Sequence, residues 1–175
     1  MHALIPPLAL LLERVVGYSP ALVARIGHPV MWFGAVIGWL EKRLNRRDWS
    51  LAQRRAAGVF AMLVVLVIVG VFTVGLQMGL RALPGGIVLE IVLATPFLAQ
   101  KELGRAVEAV ATGLRRSLAA GREAVSHVVG RDPQQLDEAG VARAAVETLA
   151  ESTSDGVVAP WFWLVVAGLP GVALY

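Results

Sequence analysis

The chain has no cysteine, which excludes a disulfide scaffold and a thiolate nucleophile. Charge is also scarce: charged residues are 17% of the total against 57% hydrophobic, and mean hydropathy is positive at +0.66. A soluble domain of this size uses more charge and less apolar surface, so a membrane protein is the expectation. No Walker glycine loop, Rossmann fingerprint, zinc-ligand spacing or Ser-His-Asp elbow occurs, which leaves common nucleotide-binding folds, dehydrogenases and hydrolases without support. There is no aromatic platform or nucleic-acid module either, so the net charge of +3 does not argue for nucleic acid. The excess is local: Lys42, Arg43, Arg46, Arg47, Arg54 and Arg55 oppose only Glu41 and Asp48, as in the cytoplasmic flank of a membrane span.

What the chain does have is long apolar runs. Residues 56–80 carry no charge and are bounded by Arg54, Arg55 and Arg81. As a helix they measure about 37 Å, enough for a hydrocarbon core of about 30 Å with some tilt. After the breaker Pro84-Gly85-Gly86, residues 87–100 are apolar except for Glu90, and Pro96 should kink or end that helix. The pair reads as a transmembrane hairpin over 56–100. Glu90 lies four residues past the turn, which favours a place near the interface over an unpaired charge in lipid. Residues 157–175 form a third membrane segment, interrupted by Pro160 and by Gly168-Leu169-Pro170-Gly171. Within 1–40, residues 3–12 read as a short membrane segment ending at Glu13-Arg14, and 26–40 as an interfacial or re-entrant helix. The expected fold is all-α: polytopic membrane helices with a cytoplasmic helical segment, 101–155, that carries the polar residues.

In that segment Leu103, Val107, Val110, Leu114 and Leu118 recur at helical spacing, predicting an amphipathic helix. It continues or restarts through residues 122–129 and stops at Gly130, expected as a left-handed cap. Asp132, Pro133 and Gln135 read as an N-cap, a first-turn proline and a capping partner. A further helix runs from about Asp137 to about Ser152, with Arg143, Glu147 and Glu151 on one strip. Alone, that strip reads as a solvated face. Just beyond it, Ser152, Thr153, Ser154 and Asp155 crowd the point where the chain re-enters apolar sequence. Glu147, Glu151 and Asp155 are each four residues apart and are the candidate catalytic carboxylates and Mg²⁺ ligands. Arg122, Arg131 and Arg143 suit phosphate or carboxylate groups.

Residues 122–160, above all SHVVGRD (126–132), RAAVETLAE (143–151) and SDGVVAP (154–160), resemble the adenosylcobinamide-phosphate synthase family of cobalamin biosynthesis, CobD or CbiB. His28-Pro29-Val30 with Trp32, Gly34, Ile37 and Leu40-Glu41 resembles the family's N-terminal signature, and Gly168-Leu169-Pro170-Gly171 with Tyr175 resembles the stretch after SDGVVAP. The chain departs from the family in Ser152, where Asn is usual, and in Glu13, where Asp is usual. Family members also continue into an Asn-Thr-Leu-Asp signature, so the chain looks like an N-terminal portion. With the basic stretch 41–55 cytoplasmic, a hairpin that goes out and returns puts 101–155 on the same side, so the expectation is a multi-pass inner-membrane protein with its polar site facing the cytoplasm. The resemblance implies an integral membrane enzyme. It joins adenosylcobyric acid to (R)-1-aminopropan-2-ol or its O-phosphate by an amide bond, with ATP and Mg²⁺ and no bound prosthetic group. His28, Arg122, Arg131, Asp132, Arg143 and Ser154 are the expected substrate-binding residues. The partners implied are the corrinoid, the amine and the lipid bilayer. A transporter subunit would place more ionisable residues at mid-bilayer, and a non-catalytic membrane scaffold leaves the polar set without a task.

Overall fold

The computed structural model describes residues 2–18, 20–130 and 132–175, which contain helix and loop and no strand. Among them the α-helices are, in order, α1 (Ile5–Val15), α2 (Pro20–Ile26), α3 (Pro29–Leu44), α4 (Leu51–Arg81), α5 (Gly86–Ala94), α6 (Gln100–Arg116), α7 (Leu118–Ser126), α8 (Glu138–Thr153) and α9 (Ala159–Leu174). A π-helical turn, Ser154–Val158, joins α8 to α9 without a break in the helical path.

Helix α4 starts at a capping box. Ser50 Oγ accepts from the Gln53 amide at 3.3 Å while Gln53 Oε1 accepts from the Ser50 amide at 2.9 Å. Its 31 residues extend about 46 Å. Val67, Val71 and Phe72 are 62–70% exposed, so its outward face is apolar and meets no protein. The helix is long and apolar enough to cross a bilayer. The continuous α8–α9 path is the second stretch long and apolar enough to cross a bilayer.

The turn after α4 depends on glycine. Gly85 has φ +76°, and a Cβ on Gly86 would stand 1.7 Å from the Leu80 carbonyl oxygen. The return arm is shorter than the sequence suggests: α5 holds nine residues, about 13 Å, before Pro96 tightens Thr95–Phe97 into a 3₁₀ turn and Leu98 runs extended. Glu90 faces a partner. It is fully buried and paired with Arg81, whose Nε and Nη2 donate to its two oxygens at 3.1 and 2.9 Å. The nine-residue separation across the turn brings the last residue of α4 over the middle of α5, which resolves the cost of the charge by pairing.

Two apolar cores result. One gathers Ala9, Leu80, Ala94, Leu98, Leu164, Leu169 and Val172 from the apolar helices and the α5–α6 junction. The other gathers Val110, Val125, Val141, Ala144 and Ala145 from α6, α7 and α8. In the second layer the amphipathic helix ends at Arg116, and the chain reverses through extended Ser117, whose Oγ accepts from the Ala120 amide and caps α7. Helix α7 stops at Ser126. Gly130 is not in the left-handed region, correcting its expected role as a cap. Asp132 starts no helix either. Its Oδ1 accepts from the Gln134 amide at 3.0 Å, an Asx turn, and Asp137 instead caps α8 by accepting from the Gly140 amide at 2.7 Å. A short acid before proline serves either motif equally well in sequence.

In α9, Gly168 departs from helical geometry at φ +67° and ψ −148°, just before Pro170. The freed Leu169 amide donates to Gln77 Oε1 on α4 at 2.8 Å. A neighbouring helix thus re-satisfies the broken ladder.

Candidate functional site

Where the two layers meet, a cleft of about 890 Å³ opens between the end of α1, the start of α3, the foot of α6 and the π turn. Its polar lining is Glu13, Tyr18, His28, Glu102, Arg105 and Asp155, set against apolar side chains that include Phe33, Val69 and Phe97.

His28 is the N-cap of α3. Its backbone is extended, Pro29 takes the first helical position, and Nδ1 accepts from the Val30 amide at 3.3 Å. That bond leaves Nε2 as the ring's donor. Tyr18 packs edge-on against the imidazole at 4.9 Å between centroids and donates its hydroxyl to the Gly27 carbonyl at 2.8 Å. The ring is therefore fixed by one hydrogen bond and one aromatic contact.

Glu13 holds the floor of the cleft. It is 2% exposed, and its two oxygens accept from the Lys101 amide at 3.0 and 3.1 Å, so a carboxylate on α1 caps α6. Lys101 returns the arrangement: its ammonium donates to the Val15 and Val16 carbonyls at 2.6 and 2.8 Å, capping the end of α1. Burial pushes the Glu13 carboxyl up, and the amides of Lys101 and Gln100 pull against it without cancelling the rise. This reciprocal clamp orients the first turn of α6, from which Glu102 and Arg105 reach the cleft as an i,i+3 ion pair.

Asp155 enters from the π turn. The wider turn shifts the register between α8 and α9, a device often found at functional sites. The Gly156 carbonyl beside it accepts from the Ala99 amide at 3.0 Å and ties the turn to the start of α6.

Two of the sequence-predicted site residues, His28 and Asp155, therefore share the cleft. Arg143, Glu147 and Glu151 are exposed on α8, away from the packed face of Val141, Ala144 and Ala145, and they do not line it. Ser154 is exposed at the first position of the π turn. Arg122 is half-buried and donates from Nε to the Leu136 carbonyl at 2.7 Å, bracing the loop before α8. Asp132 is exposed in that loop, and Arg131 lies outside the described residues. Among the described residues, no three Asp, Glu or His side chains are grouped as a metal site. The expected convergence of Glu147, Glu151 and Asp155 on one ion fails for a geometric reason. Because the helix continues through 154–158, eight residues separate the outer pair by about 12 Å, and Mg²⁺ requires ligands at about 2 Å. A neighbouring i,i+4 pair is the most one helix face offers. Sequence reasoning missed Glu13, Glu102 and Arg105. The signal for Glu13 was its position at the end of an apolar segment, where a lone carboxylate needs a partner.

A family model described as CobD/Cbib protein matches residues 6–175. The cobalamin biosynthesis protein CobD of Sinorhizobium sp is 52% identical over 174 residues, covering 98% of this chain and 54% of the relative. Its counterpart in Rhizobium meliloti (strain 1021) is 50% identical over 176 residues, covering 98% and 53%. That of Brucella anthropi is 47% identical over 170 residues, covering 96% and 52%. The chain spans about half the length of the curated relatives it matches. No solved structure matches it. With the family model running from the second turn of sequence to the last residue, and half of all aligned positions identical, the chain belongs to the CobD/Cbib family.

Proposed function

We propose that this chain forms the N-terminal half of a membrane enzyme of cobalamin biosynthesis, an adenosylcobinamide-phosphate synthase. In this reading it joins the propionate carboxylate of adenosylcobyric acid to (R)-1-aminopropan-2-ol or its O-phosphate. The relatives' name, cobalamin biosynthesis protein CobD, supports the pathway. The observation that supports the site is one cleft lined by Asp155 from the π turn, by His28 from the start of α3, and by Glu102 and Arg105 from α6.

Amide formation from a carboxylate and an ammonium in water requires activation, which ATP with Mg²⁺ supplies when bound. The residues present suit Mg²⁺ held by one carboxylate together with phosphate oxygens, with Asp155 as the carboxylate that would hold it. They do not suit a cage of three. Arg105 and the His28 Nε2–H offer donors to a phosphate or carboxylate oxygen. Asp155, or Glu102 once its arginine turns to substrate, is placed to take the proton that the amine nitrogen must lose. The apolar wall keeps water from the activated carbonyl. Arg122, Arg131, Asp132, Arg143, Ser154 and Glu147 remain proposed contacts for the larger corrinoid and nucleotide outside the cleft. We place the enzyme in the inner membrane as a multi-pass protein with 41–55 and 101–155 on the cytoplasmic side.

The test uses the full-length enzyme. ATP-dependent loss of adenosylcobyric acid is followed with each amine supplied separately, and product appears with one or both. If neither amine gives product in an intact, folded preparation, the proposed reaction is wrong.

A further inference from the structure

We propose that the corner between α3 and α4 binds one anionic phospholipid, its phosphate on the arginines and one acyl chain in the groove between the two helices. This inference is independent of the reaction proposed above.

Lys42, Arg43, Arg46, Arg47, Arg54 and Arg55 are all exposed around this corner. Glu41 and Asp48 are the acids within it, and the ion pair among its described residues is Arg46–Asp48 at 3.8 Å, between exposed groups. Six cations against two acids leave the corner with an excess of positive charge. Two tryptophans sit in it. The Arg43 guanidinium lies 4.5 Å over the Trp39 ring, and that of Arg46 lies 5.9 Å over Trp49. Stacking fixes the plane of a guanidinium while leaving its N–H fork open to phosphate. Tryptophan also settles at the headgroup level of a bilayer.

The acyl part of the argument comes from the groove. A cavity of about 270 Å³ between α3 and α4 is lined by Ile37, Leu40, Gly58, Ala61, Met62 and neighbouring apolar side chains. Gly58 follows Arg54 and Arg55 by one turn, and a Cβ there would meet nothing within 4 Å, so small residues keep the slot open. The cations and the groove thus lie end to end along α4. A free phosphate or a nucleotide has no use for the groove, and a neutral lipid has no use for the cations. An anionic phospholipid uses both.

The experiment reconstitutes the full chain in vesicles of equal parts phosphatidylglycerol and phosphatidylcholine, extracts it in mild detergent and counts retained lipid by native mass spectrometry. Phosphatidylglycerol should be retained at about one per protein and strongly preferred over phosphatidylcholine. The triple variant Arg43→Gln/Arg54→Gln/Arg55→Gln should weaken retention about a hundredfold, from about 1 kcal/mol per basic residue. Gly58→Leu should abolish retention with every cation in place. Arg43→Gln alone should give about a fivefold loss and serves where the triple variant misfolds. Equal retention of the two lipids by the wild type would overturn the proposal, as would unchanged retention in the charge or groove variants. Complete displacement of phosphatidylglycerol by millimolar inorganic phosphate would also overturn it, since the corner would then be a free-anion site.

Discussion

Replacing Gln77 by Met tests whether the break in α9 is held by its neighbour. The substitution keeps the length and volume of the side chain and removes the oxygen that accepts the Leu169 amide at 2.8 Å. Leu169 is 3% exposed, and Gly168 and Pro170 prevent the backbone from closing its own bond there. The site is buried, so the amide loses its partner outright. An unsatisfied buried donor costs about 1–3 kcal/mol. For a chain of this size that corresponds to a fall in Tm of about 2–12 °C. The assay is thermal unfolding in nanodiscs followed by helical circular dichroism. Met78→Ala is the control, since Met78 on the same helix is 68% exposed and should change stability by about 0.5 kcal/mol or less. If Gln77→Met matches that control, the inter-helix bond contributes nothing and the explanation of how α9 tolerates its break is wrong.

Arg81→Ala should cost about 3–5 kcal/mol by stranding the buried Glu90 charge, and Arg81→Leu/Glu90→Leu should recover most of it; urea unfolding in micelles measures both. Glu13→Ala should cost about 1–3 kcal/mol through loss of the α6 cap, while Glu13→Gln keeps an acceptor for the Lys101 amide and should be milder. Because burial raises the folded-state pKa of Glu13, its contribution is fully present below the unfolded value and is lost as pH rises through the folded one. Glu13→Gln should therefore gain relative to wild type as pH rises above the ordinary carboxylate range, and an identical pH dependence of the two melting curves would refute that assignment. A reporter fused after Ala120 should read cytoplasmic and one inserted near Gly85 periplasmic; the reverse pair would contradict the proposed orientation.

Much of the helical plan was legible because each feature had a local cause. Residues 56–80 could be read from their uninterrupted apolar length, and α8 could be placed within a residue at each end from its periodicity and Asp137. Pro96 ended α5 as a proline should. What was less legible turned on partners that a linear reading does not pair. Glu90 needs a partner, and the sequence does not name Arg81 as the one that folds over it; Glu13 is harder still, since its acceptor role is to an amide 88 residues on. Arg122 carries the pattern of a phosphate ligand, and its Nε bond to the Leu136 carbonyl is a second role that the sequence does not announce. Asp132 had a valid cap motif that lost to an Asx turn and to Asp137. For the site, sequence spacing brought Glu147, Glu151 and Asp155 together in projection only. The rise along a helix that does not stop at Ser154 keeps them apart.

The central claim is that chemistry occurs in the cleft at the π turn, with Asp155 and Arg105 in it, and not at the far end of α6. Single-turnover conversion of adenosylcobyric acid by the full-length enzyme, compared for Asp155→Asn, Arg105→Gln, Arg115→Ala and Arg116→Ala, tests it most directly. The account predicts that the Asp155 and Arg105 variants insert and fold normally yet lose cobinamide formation by about 10²-fold or more, while the Arg115 and Arg116 variants keep it. Wild-type conversion by Asp155→Asn in a folded, membrane-inserted enzyme would contradict the account.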